Sequence, residues 1–184
     1  MKKRLILILA AACLIFGGCG SKVLPTVELF DYYDCDNMPE LSEPIDFEAE
    51  EFDGVVFRWK REMSGWNGDS IIAIKDGEET PLYSGMPILS VFLSDLNADG
   101  YRELCSTANW GSGMIDYRII VYDYRAGRKY ELADRGEYDY VLELRDSVLT
   151  VSKREWNSTE ELAAGTLGFS WENNRSVLCM KEQE

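Results

Sequence analysis

Histidine is missing from this chain altogether. Its absence removes Ser-His-Asp and Cys-His catalysis, imidazole-ligated zinc and imidazole acid–base steps together. Basic residues are scarce as well: 19 Lys and Arg stand against 33 Asp and Glu, a formal net charge of −14. Phosphate binding needs a basic face, so the balance excludes nucleic acid as a partner and electrostatic docking on anionic lipid. No apolar run is long enough to span a bilayer. The run Leu5–Phe16 has 12 residues, against the ~20 that a membrane-crossing helix needs. Proline is sparse, five in 184 residues, and helical periodicity is almost lacking.

What is present begins with Lys2, Lys3 and Arg4, a basic start to the short apolar run, followed by the small residues Gly17 and Gly18 and then Cys19. Basic, apolar and small in that order reads as an export signal rather than a structural helix. The arrangement resembles the lipobox of bacterial lipoproteins, with Phe16 standing where Leu is commonest. The resemblance implies cleavage after residue 18, lipidation of Cys19 and an extracytoplasmic domain held to the membrane by its N-terminal lipid.

Between Val23 and Gly54 lie eleven acids and no base, together with Pro25, Pro39 and Pro44. Like charges interrupted by prolines give a self-repelling, extended chain, so residues 19–54 read as an acidic tether. Val27, Leu29, Phe30, Tyr32 and Tyr33 offer the alternative of one edge strand within it.

From Val55 to Glu184 the chain reads as strands. Val55, Phe57 and Trp59 alternate with Arg58 and Lys60, and Tyr138, Tyr140, Leu142 and Leu144 alternate with Asp139, Glu143 and Arg145. Further strand-like runs cover 70–75, 88–93, 102–109, 115–124, 148–153, 166–171 and 176–180, with turn chemistry such as Asp76-Gly77 between them. One segment breaks the pattern. Ser158 and Glu161 form a capping box and Gly165 suits a helix C′ position, which predicts a single helical turn. The fold class is therefore all-β: an antiparallel meander of about 9–11 strands, partial-propeller-like or a sandwich, with one short helical turn.

The sharpest chemical signal is Asp95-Leu96-Asn97-Ala98-Asp99-Gly100-Tyr101-Arg102-Glu103. Oxygen-bearing side chains occupy loop positions 1, 3, 5 and 9, and Gly100 at position 6 permits a sharp reversal. Alternate side chains of so tight a loop converge on one point, which suits calcium, a hard cation wanting six to eight oxygens. A helical EF-hand is disfavoured, because Ser106 stands where its bidentate Glu belongs and both flanks read as strands. A nine-position loop between strands resembles the FG-GAP and VCBS-type repeats of extracellular propellers. That resemblance implies Asp95, Asn97, Asp99 and Glu103 as side-chain ligands and Tyr101 as a carbonyl ligand. Those propellers repeat the loop from blade to blade, whereas this chain has it once.

Trp66 and Trp110 lie in small polar loops, where a planar ring offers stacking area to a glycan or protein ligand; Trp59 fits a core position. Cys35, Cys105 and Cys179 would remain after processing, an odd number that leaves at least one unpaired. Together these features describe a lipid-anchored, calcium-containing surface binding module. The alternative is a small hydrolase acting on extracellular glycan with paired carboxylates, the main acid–base chemistry left without histidine. Thirty-three acids make some pair inevitable, and no short motif singles one out. The anchor has a direct test. Metabolic labelling with a fatty-acid analogue should mark the wild-type protein and not Cys19→Ser, and equal labelling of the two would overturn it.

Overall fold

A computed structural model describes residues 23–31, 44–61, 68–111 and 115–182. The lipobox with Cys19, the loop carrying Trp66, and Cys35 lie outside these residues. Among these residues thirteen strands, all paired antiparallel, form three sheets. The first sheet is a meander of β2 (Ile45–Glu48), β3 (Val55–Arg61), β4 (Asp69–Lys75) and β5 (Glu78–Gly85). The middle sheet runs through β6 (Ile88–Ser94), β7 (Glu103–Trp110), β8 (Asp116–Asp123) and β9 (Arg128–Leu132). Strand β1 (Val27–Asp31) is added on its β6 side. The third sheet comprises β10 (Tyr138–Arg145), β11 (Val148–Glu155), β12 (Glu161–Glu172) and β13 (Arg175–Glu182). Three four-stranded meanders thus follow one another along the chain.

The sheets stack with two separate cores between them. On one side of the middle sheet, Val91, Leu93, Leu104 and Ile120 meet Phe57, Trp59, Ile71 and Tyr83 of the first sheet. On the other side, Phe92, Cys105, Ile119 and Val121 meet Leu142, Val151, Leu167 and Leu178 of the third. Burial on both faces accounts for the sequence of β6, ILSVFLS, in which every residue is buried and no polar alternation survives. The outer sheets face water on one side and keep their alternation, as in the buried Val55, Phe57 and Trp59 of β3.

Two expectations need correction. No helix occurs among the described residues, and Glu161–Glu172 is the longest strand of the molecule. The Ser158 hydroxyl does accept the Glu160 amide at 3.1 Å, but as a turn that leads into β12. Gly165 is there for close approach rather than as a helix stop, since a Cβ would run into the Lys181 carbonyl of β13. The second correction concerns the 19–54 span, which is in part folded. Both β1 and β2 belong to it, and Phe30, Phe47, Ala49 and Phe52 from it are buried in the first core. Their neighbours Glu28, Asp46 and Glu48 project to water, so a stretch with the charge of a tether is also an edge-strand pattern.

The folded role of β1 can be measured. Phe30 is 7% exposed and its ring centroid lies 4.8 Å from that of Trp59. Phe30→Ala should lower unfolding free energy in urea by about 3 kcal/mol, as core truncations do. A loss below about 0.5 kcal/mol would return the segment to the status of a tether.

Candidate metal loop and ligand cleft

The loop 95–102 links β6 to β7 and is wound by backbone conformation as much as by side chains. Ala98 and Gly100 have φ of +58° and +85°. A Cβ at Gly100 would meet nothing within 4 Å, so glycine is wanted there for its dihedral freedom and not for space. Asp95 carries the winding. Its Oδ1 accepts the Asp99 amide at 3.0 Å and its Oδ2 accepts the Gly100 amide at 3.2 Å and the Leu24 amide at 3.1 Å. Asn97 Oδ1 accepts the same Asp99 amide at 2.9 Å, and Asp99 Oδ1 accepts that of Tyr101 at 2.9 Å. Glu103 reaches back into the loop, taking the Leu96 amide at 2.8 Å and the Asn97 side-chain amide at 2.7 Å.

All five residues expected at the metal therefore sit in one hydrogen-bonded loop. Their donor set is oxygen only, with three carboxylates and an amide among the side chains, which fits a hard cation such as calcium. The carboxylates are not drawn together: no group of three acidic or cysteine side chains stands in metal-holding geometry among the described residues. The loop oxygens are turned to backbone amides instead. Asp95 and Glu103 are buried, at 6% and 2% exposure, and no basic side chain of the described residues is paired with either. The cation that does reach the loop is Arg125, 3.2 Å from Asp99 at the surface and 4.3 Å from the centroid of the Tyr101 ring. Burial pushes the Glu103 carboxyl up to about 8, opposed by the Leu96 amide and helped by the nearby carboxylates of Asp123 and Asp99.

Arg102, position 8 of the loop, points away from it and forks onto Glu51 at 2.6 and 2.7 Å, with both side chains nearly buried. Sequence reading missed this pairing, because 51 residues separate the partners.

Trp110 stands at the far end of β7 from Glu103 and is 40% exposed. It lines a cleft of about 320 Å3 to which β5, β7, β8 and β9 all contribute. The rest of its lining is Tyr83 and Ser84 of β5, Arg118 and Ile120 of β8, and Lys129 and Glu131 of β9. Arg118 lies 6.0 Å from the Trp110 ring centroid and grips the buried Asp116 with both carboxylate oxygens at 2.8 and 2.9 Å. It approaches Glu131 at 3.4 Å, and Lys129 pairs with Glu131 at 2.8 Å. These residues come from four strands; Trp110, expected in a loop, is the last residue of β7, and no local motif in the sequence marks the others. Cys105 and Cys179 are free thiols, the first in the core between the middle and third sheets. Comparison with known protein families, curated proteins and solved structures finds no match for this chain.

The Glu51–Arg102 pair sets a pH dependence. Burial alone would raise the Glu51 carboxyl, but the Arg102 guanidinium outweighs it and holds the group below its ordinary value of 4.5. A carboxylate lowered on folding stabilises the native state above its unfolded value and loses that contribution as pH falls through the folded one. Glu51→Gln should therefore cost about 2–3 kcal/mol at pH 7. In urea titrations the gap between variant and wild type should narrow progressively below pH 4.5. A gap that stays constant with pH would overturn the assignment.

Proposed function

We propose that this chain is a lipid-anchored, extracytoplasmic β-domain stiffened by one calcium ion, which binds an extracellular partner at the Trp110 end. The observation that carries the metal reading is the pair of buried loop carboxylates, Asp95 and Glu103, with no basic partner among the described residues. Burial drives the Glu103 carboxyl toward its neutral form, and a cation seated beside it and Asp95 would let both stay ionised. Calcium would supply that positive charge, held by Asp95, Asn97, Asp99, Glu103 and the Tyr101 carbonyl. The ion has a structural role in this reading, because the loop and Trp110 lie at opposite ends of β7, roughly 23 Å apart at ~3.3 Å per residue. The anchor rests on the Gly17-Gly18-Cys19 signal. Binding is favoured over glycan cleavage because, among the described residues, Glu131 is the one carboxylate lining the cleft, whereas glycoside hydrolysis ordinarily employs two.

Open extracellular calcium modules bind with Kd of about 10⁻⁴–10⁻³ M. At about 2 mM calcium this stabilises the fold by roughly 0.7–1.8 kcal/mol, a rise of about 2–6 °C in Tm for a domain of this size. Chelator should lower Tm by that amount, and calcium should restore it while equal magnesium should not. Asp99→Ala should abolish the response whatever its own baseline Tm, since the Asp99 oxygens also hold Tyr101 and Arg125. Identical melting of the wild type in chelator and in about 10 mM calcium would reduce the loop to a turn.

A further inference from the structure

The Trp110 cleft has a chemistry narrower than that of a general binding surface. Its volume of about 320 Å3 lies at the small end of the ~300–1,000 Å3 of small-molecule sites, enough for one ring-sized unit. Trp110 offers an exposed aromatic face, which suits the apolar C–H face of a ring better than an open chain. The charges of the polar lining are in balance. The charges of Arg118 and Lys129 are met by Asp116 and Glu131. No net field therefore remains to select an anion or a cation. Donor capacity is nevertheless left over. Arg118 Nη1 reaches Glu131 only at 3.4 Å, the Lys129 ammonium has three protons for one partner, and Ser84 brings a hydroxyl-bearing side chain to the same lining. Donors on Arg118 and Lys129 and an acceptor on Glu131, arranged beside an aromatic plane, complement hydroxyls, each of which both donates and accepts. A chain of net charge −14 adds a general repulsion of polyanions.

We propose that the cleft between β5 and the β8–β9 face is a subsite for one ring of a neutral saccharide, stacked on Trp110 and hydrogen-bonded by Arg118, Lys129 and Glu131. The proposal rests on reading the Trp110 end as the binding surface, and gives that surface its ligand class.

The test is a titration of the full-length protein, in calcium, with neutral tetrasaccharides of glucose, galactose, mannose or N-acetylglucosamine, and with tetrauronates as the anionic arm. Tryptophan fluorescence reports binding, and reducing-end assay reports cleavage. At least one neutral sugar should saturate below about 10 mM, at least tenfold more tightly than any uronate and without release of reducing ends. Trp110→Ala should weaken it at least tenfold and Glu131→Gln several-fold. Trp171→Ala, removing a ring that is 73% exposed on β12, should leave affinity unchanged and so controls for general surface effects. No saturation by any neutral sugar up to about 20 mM would overturn the proposal, as would equal affinity in Trp110→Ala. Trp110-dependent binding of a uronate alone would overturn the neutral class while leaving the binding surface in place. The calcium and anchoring assays are independent of each of these outcomes.

Discussion

Everything in this fold depends on a sheet with no face to spare. The middle sheet is covered on both sides, so its central strands must bury polar backbone and side chains in two directions at once. Consecutive residues of β7 show how this is met. Ser106 turns toward the first sheet and shares a 2.6 Å hydrogen bond with the Tyr83 hydroxyl. Thr107 turns the other way, and its hydroxyl accepts the Leu142 amide from the edge of the third sheet at 2.9 Å. Two carboxylates do the same at the margins. Asp69 accepts the Ile88 amide across the first interface, and Asp139 accepts the Tyr117 amide across the second while also taking the Asn157 amide from the β11–β12 connection of its own sheet. Apolar packing gives the stack its driving force; these bonds fix which sheet lies against which, because a displaced layer would leave a buried donor or acceptor unpaired.

The same constraint explains what could be read in the sequence. Strands β3, β4, β6, β7, β8, β10, β11, β13 and the second half of β12 were legible because one or both faces are buried and their apolar residues say so. The three that escaped, β2, β5 and β9, and β1, which was offered only as an alternative to a tether, are all sheet edges. An edge strand carries charge and proline because its outer rim must discourage further pairing. Pro81 in β5, the Arg128-Lys129 start of β9 and the acids of β1 and β2 are what made these segments look like turns or tether. The helical turn was predicted from Ser158, Glu161 and Gly165, local signals that pairing with β11 and β13 overrides. The oxygen-rich loop was legible because its chemistry is contiguous. The cleft was not, because Tyr83, Trp110, Arg118 and Glu131 become neighbours only through the register of separate strands.

The loop and the N-terminal segment also prove to be one structural unit. Asp95 accepts the Leu24 amide, Thr26 meets Ser94 at 2.9 Å, and Arg102 forks onto Glu51. The segment is thus tied to both ends of the loop. Whatever orders the loop also secures β1 on the edge of β6, and whatever pulls on β1 is felt first at Asp95.

That seam fixes a direction in space. On the proposed anchoring, five residues run from Cys19 to Leu24, and a fully stretched chain of that length reaches only about 17 Å. Leu24 is already fastened to Asp95. The domain would therefore ride close to the bilayer with the loop end turned toward it, and the antiparallel course of β6 and β7 would carry the Trp110 end outward. The lipid would then act as an orienting post as well as an anchor, holding the cleft mouth away from the headgroups and toward whatever lies beyond the cell.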